Sequence, residues 1–366
     1  MSKNSNLVIF MPSIEGGGVE KNLFLITNFL SSKFKKSILV TCSTKIKKLN
    51  KKIKIISFDI FKIRLNFRFL KIILSSLLLF IQLLKNKNVV VLSFQANIFA
   101  ILISSLLNRR VIVRLNSSPT GWLKSNLKKM IFKKIYSLAD LVIVNSLEFK
   151  KELKNKLNIE SFCIYNPLNQ KDIIKSSKVK LNKKIFRKKN SLKIINVGRL
   201  VNQKDHITLL KSINLLKEKI DIELIIIGQG YNKTIIQNFI KINSLNKIVK
   251  ILNYKKNPYP FIRSSDVFIL SSIYEGLPNV LLEAIVLKKF IISSDCPTGP
   301  KEILSYGKGG LLFKTGSYKD LAIKIIEYTK SKNRENKINF AFNSLEKFDF
   351  KKNLKLYLKK INEVIN

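Results

Sequence analysis

Acidic residues are scarce: 23 Asp and Glu stand against 68 Lys and Arg in 366 residues, a formal charge of +45. Such a balance admits three anionic partners: nucleic acid, an anionic membrane surface, or phosphorylated small molecules. The basic residues are spread along the chain and not gathered in an arm or tail, which argues against nucleic acid. Heavy use of Lys, Asn and Ile also fits an A+T-rich genome that has pushed surface positions toward Lys. Cysteine is as rare. Cys42, Cys163 and Cys296 are odd in number, far apart and in no CxxC pair. That excludes a disulfide framework and a Cys-rich zinc site, and fits a reducing compartment. There is a single His, His206.

Long hydrophobic runs are also missing. The most apolar stretch, Phe69–Leu84, is shorter than the roughly 18 residues that a spanning helix needs and contains Lys71, Ser75, Ser76 and Gln82. It reads as a buried helix feeding the strand Val89–Ser93. Its flank carries Lys62, Arg64 and Arg68, so interfacial docking is the competing reading. The first ten residues enter a strand directly, with no apolar leader core and no small-residue cleavage site. The expected location is cytoplasmic, with peripheral contact on the inner face of the membrane.

With 46% hydrophobic residues, the chain can bury two cores, and its length suits two domains. Short apolar strands alternate with helical stretches from Leu7–Met11 and Val19–Ser31 through to Leu141–Asn145. A second series runs from Leu192–Val197 to Tyr318–Ser331. The βαβα alternation predicts two doubly wound α/β domains in tandem, with parallel sheets wrapped by helices. Such sheets put ligands at the carboxyl ends of their strands. The stretch Tyr165–Asn190 has no clear periodicity and reads as a connector. The expected boundaries are 1–168, a linker at 169–190, 191–346, and a final helix in 347–366 that crosses back to the first domain.

Four segments carry chemistry. In SSIYEGLPNVLLE (271–283), a strand ends near Ser271 and a helix begins near Asn279, with Pro278 at its start. Amides around Asn279 and Val280, backed by the helix dipole, suit a diphosphate. Glu275, next to Gly276, and Glu283 flank that position. A carboxylate repels a diphosphate but accepts hydrogen bonds from vicinal hydroxyls, so the pair suits a nucleotide sugar. The alternative is that Glu283 only favours the dipole and Glu275 sits in a solvated turn. In NVGRLVNQKDH (196–206), Gly198 allows close approach. Arg199 and Lys204 follow at the carboxyl end of a strand, where cations would neutralise a leaving diphosphate. IIIGQG (225–230), with Gly228, is a strand followed by Gly-x-Gly, a weak signal. EGGGVE (15–20), with Gly17 and Gly18, is a backbone nest before a helix. It lacks GxGxxG spacing, which disfavours a dinucleotide oxidoreductase.

In this order EGGGVEK, ADLVIVNS, YNP, NVGRLVNQKDH, IIIGQG and EGLPNVLLEA resemble the retaining GT-B glycosyltransferases of family 4, over about residues 7–345. Glu275 and Glu283 match the family's E-x7-E signature. SSDCPTGPKEI (293–303) looks like the branch that builds lipopolysaccharide and other surface glycans. The resemblance implies a GT-B fold of two Rossmann-like domains facing across a cleft, with the acceptor on the first and the nucleotide sugar on the second. It implies Arg199 and Lys204 on the donor diphosphate with the amides of Asn279 and Val280, Glu283 on the ribose and Glu275 on the transferred sugar. Gly17 and Gly18 would lie against the diphosphate or acceptor, and uracil near Gly228 and Leu252–Tyr254. Retention of configuration is implied, with no metal or other cofactor, and no DxD pair stands in a plausible loop. The implied donor is a UDP-linked or other nucleotide-diphosphate hexose or N-acetylhexosamine, and the acceptor a glycan or a lipid-linked one. One departure stands out. Many relatives carry a His after the strand matching Arg110–Leu115, where this chain has Asn116 and Ser117. His206 lies elsewhere and is not assigned as base. Asn116 and Ser117 are the acceptor-side candidates. Competing readings are a basic nucleic-acid-binding protein and a noncatalytic GT-B relative.

Overall fold

The computed structural model describes residues 5–14, 17–43, 46, 49–57, 68–117, 123, 125–181 and 185–366. Several sequence features lie outside them: Lys62 and Arg64 of the basic flank, Glu15 and Gly16 of the glycine nest, and Phe58. The chain divides into two compact units. One holds Met1–Pro167 with Phe350–Asn366, the other Leu168–Asp349.

The first unit is built on a seven-stranded sheet. Its strands are β1 (Asn6–Phe10), β2 (Lys36–Thr41), β3 (Ile53–Ser57), β4 (Val89–Ser93), β5 (Arg110–Arg114), β6 (Leu141–Val144) and β7 (Phe162–Cys163). The order is β3-β2-β1-β4-β5-β6-β7 and every neighbouring pair is parallel. The strands are apolar on both sides because helices cover both faces. On one face, Leu79 and Leu83 of the helix Arg68–Lys85, Ala100 and Ile101 of Asn97–Leu106, and Phe132 of Asn126–Tyr136 share a core with Val8, Val91 and Val113. On the other, Leu23 and Ile26 of the helix Gly18–Leu30 pack with Leu354, Tyr357 and Ile361 of the final helix Phe350–Ile365. Burying each such Leu or Ile stabilises the fold by about 1.5–3 kcal/mol.

The final helix is fastened by a buried arginine. Arg114, at the end of β5, is fully buried. Its Nε donates to Tyr357 Oη at 2.8 Å and its Nη2 to Asn166 Oδ1 at 2.5 Å. The guanidinium lies 5.8 Å from the Phe94 ring centroid. Burial pushes the Tyr357 phenol above its ordinary pKa, against the opposing pull of Arg114. Asn166 belongs to the YNP segment read from sequence, so that motif serves to anchor the arginine.

The second unit carries a six-stranded parallel sheet. Its strands are β8 (Leu192–Val197), β9 (Ile222–Ile227), β10 (Val249–Leu252), β11 (Val267–Leu270), β12 (Phe290–Ser294) and β13 (Leu311–Phe313). The order is β10-β9-β8-β11-β12-β13. Strand order reverses between β8 and β11, and between β1 and β4 in the first unit. These are the points where open parallel sheets leave a crevice at their carboxyl ends.

Every strand read from sequence is present, with boundaries shifted by a residue or so. Among the described residues, five α-helices and one strand escaped that reading. The helix Leu147–Leu157 buries Phe149, Leu153 and Leu157 at i, i+4, i+8, and Ser146 caps it by accepting from Phe149 N at 3.1 Å. Within 169–190, read as linker, the helix Gln170–Ser177 is capped by Asn169, which accepts from Asp172 N at 3.2 Å. It buries only Ile173 and Ser177, too few for a visible periodicity, and packs on Tyr259–Arg263 and Asn279–Val286. The strand Phe162–Cys163 and the helices Tyr259–Arg263 and Pro300–Ile303 are five residues or shorter, and the helix Arg334–Asn343 buries only Ala341.

Candidate active site

The loops after β8 and β11 meet at the switch point of the second sheet. The chain leaves β8 at Val197, passes Gly198 and Arg199, and makes a 3-10 turn over Asn202–Lys204. Asp205, in the left-handed region at φ 42°, then caps the helix His206–Leu216 by accepting from Thr208 N at 3.2 Å. Three hydrogen bonds to backbone carbonyls tie this loop to the one after β11. Ser271 Oγ donates to Lys204 O at 2.8 Å, Ile273 N to Gln203 O at 2.8 Å, and Gln203 Nε2 to Tyr274 O at 2.8 Å.

At the junction sits an ion pair. Lys204 Nζ donates to Glu275 Oε1 at 2.5 Å, and the two side chains are 13% and 9% exposed. Ser272 Oγ donates to the same oxygen at 2.6 Å. Glu275 N donates to Pro297 O at 2.7 Å, so the turn carrying the carboxylate is fixed to the loop after β12. An ammonium has three N–H donors. One is given to Glu275, which leaves Lys204 able to hold the carboxylate and an anionic ligand together. Burial, then the Glu275 charge, pushes the neighbouring Cys296 thiol up to about 12, so it stays protonated at neutral pH.

The glycines of this site are packing contacts. A Cβ on Gly228 would lie 1.8 Å from the Gly198 carbonyl oxygen, so β8 and β9 can end this close together only with Gly there. A Cβ on Gly198 would meet the Lys204 side chain at an ordinary 3.6 Å. Gly276 offers its carbonyl to Thr298 Oγ1 at 3.3 Å. Beyond Pro278, the helix Asn279–Val286 begins with Asn279 and Val280 half-exposed. Its first-turn amides form the partly positive end of the helix. Glu283 is buried one turn on, and Tyr259 Oη donates to its Oε1 at 3.4 Å.

The structure therefore brings Gly198, Lys204, Gly228, Glu275 and Gly276 into one bonded and packed network. Arg199 follows β8 as an exposed side chain with no ion-pair partner among the described residues. Tyr254, two residues past β10, is 49% exposed and hydrogen-bonds to neither member of the pair. The partners of the carboxylates, Ser272 and Tyr259, were not singled out from sequence. Ser272 adjoins the motif, but Tyr259 lies 24 residues from Glu283 and only tertiary packing joins them.

His206 is buried and structural. Asn196 Nδ2 donates to Ile269 O at 2.8 Å, so Asn196 Oδ1 is left to accept from His206 Nε2 at 3.1 Å. Its Nδ1 is buried with no partner. Burial, then the nearby Lys204 charge, lowers its pKa from 6.5 to about 4. The unfolded chain thus takes up a proton below pH 6.5 that the folded chain refuses until about pH 4. Stability contributed by neutral His206 is complete above pH 6.5 and is lost as pH falls to 4. Denaturant midpoints of the second unit should fall across that window, and His206→Gln should flatten the slope. An unchanged slope would remove His206 as its source.

In the first unit Gly17 and Gly18 follow β1 at the start of the helix Gly18–Leu30, and the Glu20 carboxylate lies against Gly17. Asn116, past the end of β5, donates from Nδ2 to Phe94 O at 2.7 Å, while its Oδ1 is buried without a partner. Ser117 beside it is half-buried. Among the described residues no group of three His, Cys, Asp or Glu side chains could hold a metal ion.

Residues 177–342 match the family model for glycosyl transferases group 1. The matched residues lie within the second unit, Leu168–Asp349. The chain is 34% identical over 232 residues to an uncharacterized glycosyltransferase of Methanocaldococcus jannaschii, covering 57% of this chain and 56% of that one. It is 27% identical over 213 residues to the N-acetylgalactosamine-N,N'-diacetylbacillosaminyl-diphospho-undecaprenol 4-alpha-N-acetylgalactosaminyltransferase of Campylobacter jejuni, covering 56% of each. The matched stretch thus spans about half the length of these curated relatives. Capsular polysaccharide biosynthesis glycosyltransferase CapH of Staphylococcus aureus is 26% identical over 74% of this chain and 76% of its own. In fold, the chain is similar to Anabaena HepE in complex with UDP and glucose, at a TM-score of 0.78, 14% identity, and coverage of 98% and 100%. A glycosyltransferase from Rickettsia africae gives a TM-score of 0.78 at 17% identity, covering 99% of both chains. The fold is GT-B, with two Rossmann-like parallel-sheet units.

Proposed function

We propose that this chain is a retaining glycosyltransferase of family 4 that moves a hexose or N-acetylhexosamine from a UDP sugar to a glycan or lipid-linked acceptor, in assembly of a bacterial surface polysaccharide such as lipopolysaccharide. The observation that carries the reading is the buried Lys204–Glu275 pair at the β8/β11 switch point, beside the start of the helix Asn279–Val286. The named functions of the Campylobacter and Staphylococcus relatives, and the UDP and glucose held by HepE, support the donor and acceptor classes.

In this reading Arg199, Lys204 and the Asn279 and Val280 amides bind the diphosphate. Glu275 accepts from hydroxyls of the transferred sugar, Glu283 from the ribose, and uracil lies by Gly228 and Tyr254. The bond from the sugar C1 to the phosphate oxygen breaks as the acceptor oxygen bonds to C1 on the same face. The acceptor proton passes to the departing phosphate oxygen, so no His base is needed. Negative charge grows on the diphosphate, and the fixed cations and helix amides stabilise it there. Gly17 and Gly18 lie against the diphosphate or the acceptor, and Asn116 and Ser117 serve the acceptor side, with neither metal nor cofactor and no nucleic-acid partner. A lipid-linked acceptor also implies peripheral contact with an anionic membrane. No helix among the described residues is long and apolar enough to cross one.

A thermal-shift panel of UDP- and GDP-sugars, followed by assay of nucleotide release, tests the donor. A sugar nucleotide at a hundred times its Kd should add about 2.7 kcal/mol of stability. Stabilisation by a GDP-sugar alone would overturn the base assignment. No stabilisation and no release by any member would overturn the donor site.

A further inference from the structure

We propose that the outer face of three adjacent helices in the first unit, Arg68–Lys85, Asn97–Leu106 and Asn126–Tyr136, docks flat on an anionic lipid surface. Membrane contact is part of the function proposed above and rests on it; the surface that makes the contact is the new element.

The three helices pack side by side on one face of the first sheet. Each keeps an apolar stripe turned away from that sheet. Ile73 and Leu77 are exposed on the first, Leu102 and Leu106 on the second, Leu127, Met130 and Ile131 on the third. Leu106 is 73% exposed and Met130 62%. Spacings of three or four residues place each set on one helical face, Leu127 lying three and four residues before Met130 and Ile131. Single exposed apolar residues are ordinary; stripes aligned on neighbouring helices form a patch that wants a partner.

Charge selects the partner. From residue 60 to residue 139 the sequence has no Asp or Glu but fourteen Lys and Arg. Exposed Lys128, Lys133 and Lys134 flank the stripe of the third helix, and Lys85 ends the first. An apolar stripe bordered by cations alone matches a lipid interface, where side chains enter the acyl boundary while cations meet anionic headgroups.

The test uses the full chain without donor or acceptor. Cosedimentation should show binding to vesicles of equal phosphatidylglycerol and phosphatidylcholine, weakening as salt rises, and little binding to phosphatidylcholine alone. Lys128→Gln, Lys133→Gln and Lys134→Gln together should weaken binding about 100-fold, at about fivefold per charge. Leu102→Ser with Leu106→Ser should weaken it about tenfold or more. Replacing exposed Lys241, Lys247 and Lys250 of the second unit with Gln changes net charge equally and should leave binding within about twofold of the parent. These positions are all exposed, and unchanged thermal melts confirm that the variants fold. The proposal is overturned if the control triple variant weakens binding as much as the helix variant. It is also overturned if the leucine variant binds vesicles like the parent, or if that variant turns a dimer into a monomer with no vesicle binding by either. Nucleotide release assayed without vesicles tests the transfer reading separately, so either can fail alone.

Discussion

Lys204→Met is expected to lower nucleotide release by about 10²–10³-fold, the usual loss when a fixed group that stabilises developing charge is removed. It should also destabilise the second unit. Lys204 and Glu275 are both largely buried and only 2.5 Å apart. Removing the lysine leaves a carboxylate with Ser272 but no counter-charge, and breaking such a pair costs about 3–5 kcal/mol. Activity and stability can be separated. The double variant Lys204→Met, Glu275→Leu removes both charges and should recover most of that stability, because replacing a buried pair by apolar groups is often neutral. It should recover no activity. Denaturant unfolding and single-turnover release measure the two effects. Full release by a folded Lys204→Met variant would take Lys204 out of the reaction.

Gly228→Ala is expected to destabilise the second unit by about 3 kcal/mol or more, the upper end for overpacking. The added methyl would lie 1.8 Å from the Gly198 carbonyl oxygen. Neither backbone can yield. Gly198 N is bonded to Ile227 O at 3.0 Å and Gly228 N to Leu252 O at 2.9 Å, so both strand ends are pinned in the sheet. Gly198→Ala makes the contrast, since its methyl meets only a flexible Lys204 side chain at 3.6 Å. It should cost less than about 1 kcal/mol, while crowding the lysine and lowering release. If the two variants melted alike, the close approach of β8 and β9 would not be what Gly228 provides.

Much of the molecule is legible in its sequence because parallel strands covered on both faces are short, mostly apolar runs. Those runs also place the motif loops, since Lys204 and Glu275 each follow the end of one. The weaker elements were hidden for a physical reason. Gln170–Ser177 turns only Ile173 and Ser177 inward, so its helical period hardly shows. Leu147–Leu157 did carry a readable signal, a Ser146 cap ahead of Phe149, Leu153 and Leu157.

By itself the sequence determined two α/β units, the loops that hold the candidate site, and an excess of cations over anions. Only the tertiary structure decided which charges meet. Lys204 and Glu275 stand on separate loops in the sequence, and the folded unit joins them because the order β8-β11 brings loops 71 residues apart into contact. It likewise made His206 a buried partner of Asn196, and assigned Tyr259 to Glu283. Such pairings depend on strand order and loop packing, which local composition does not encode.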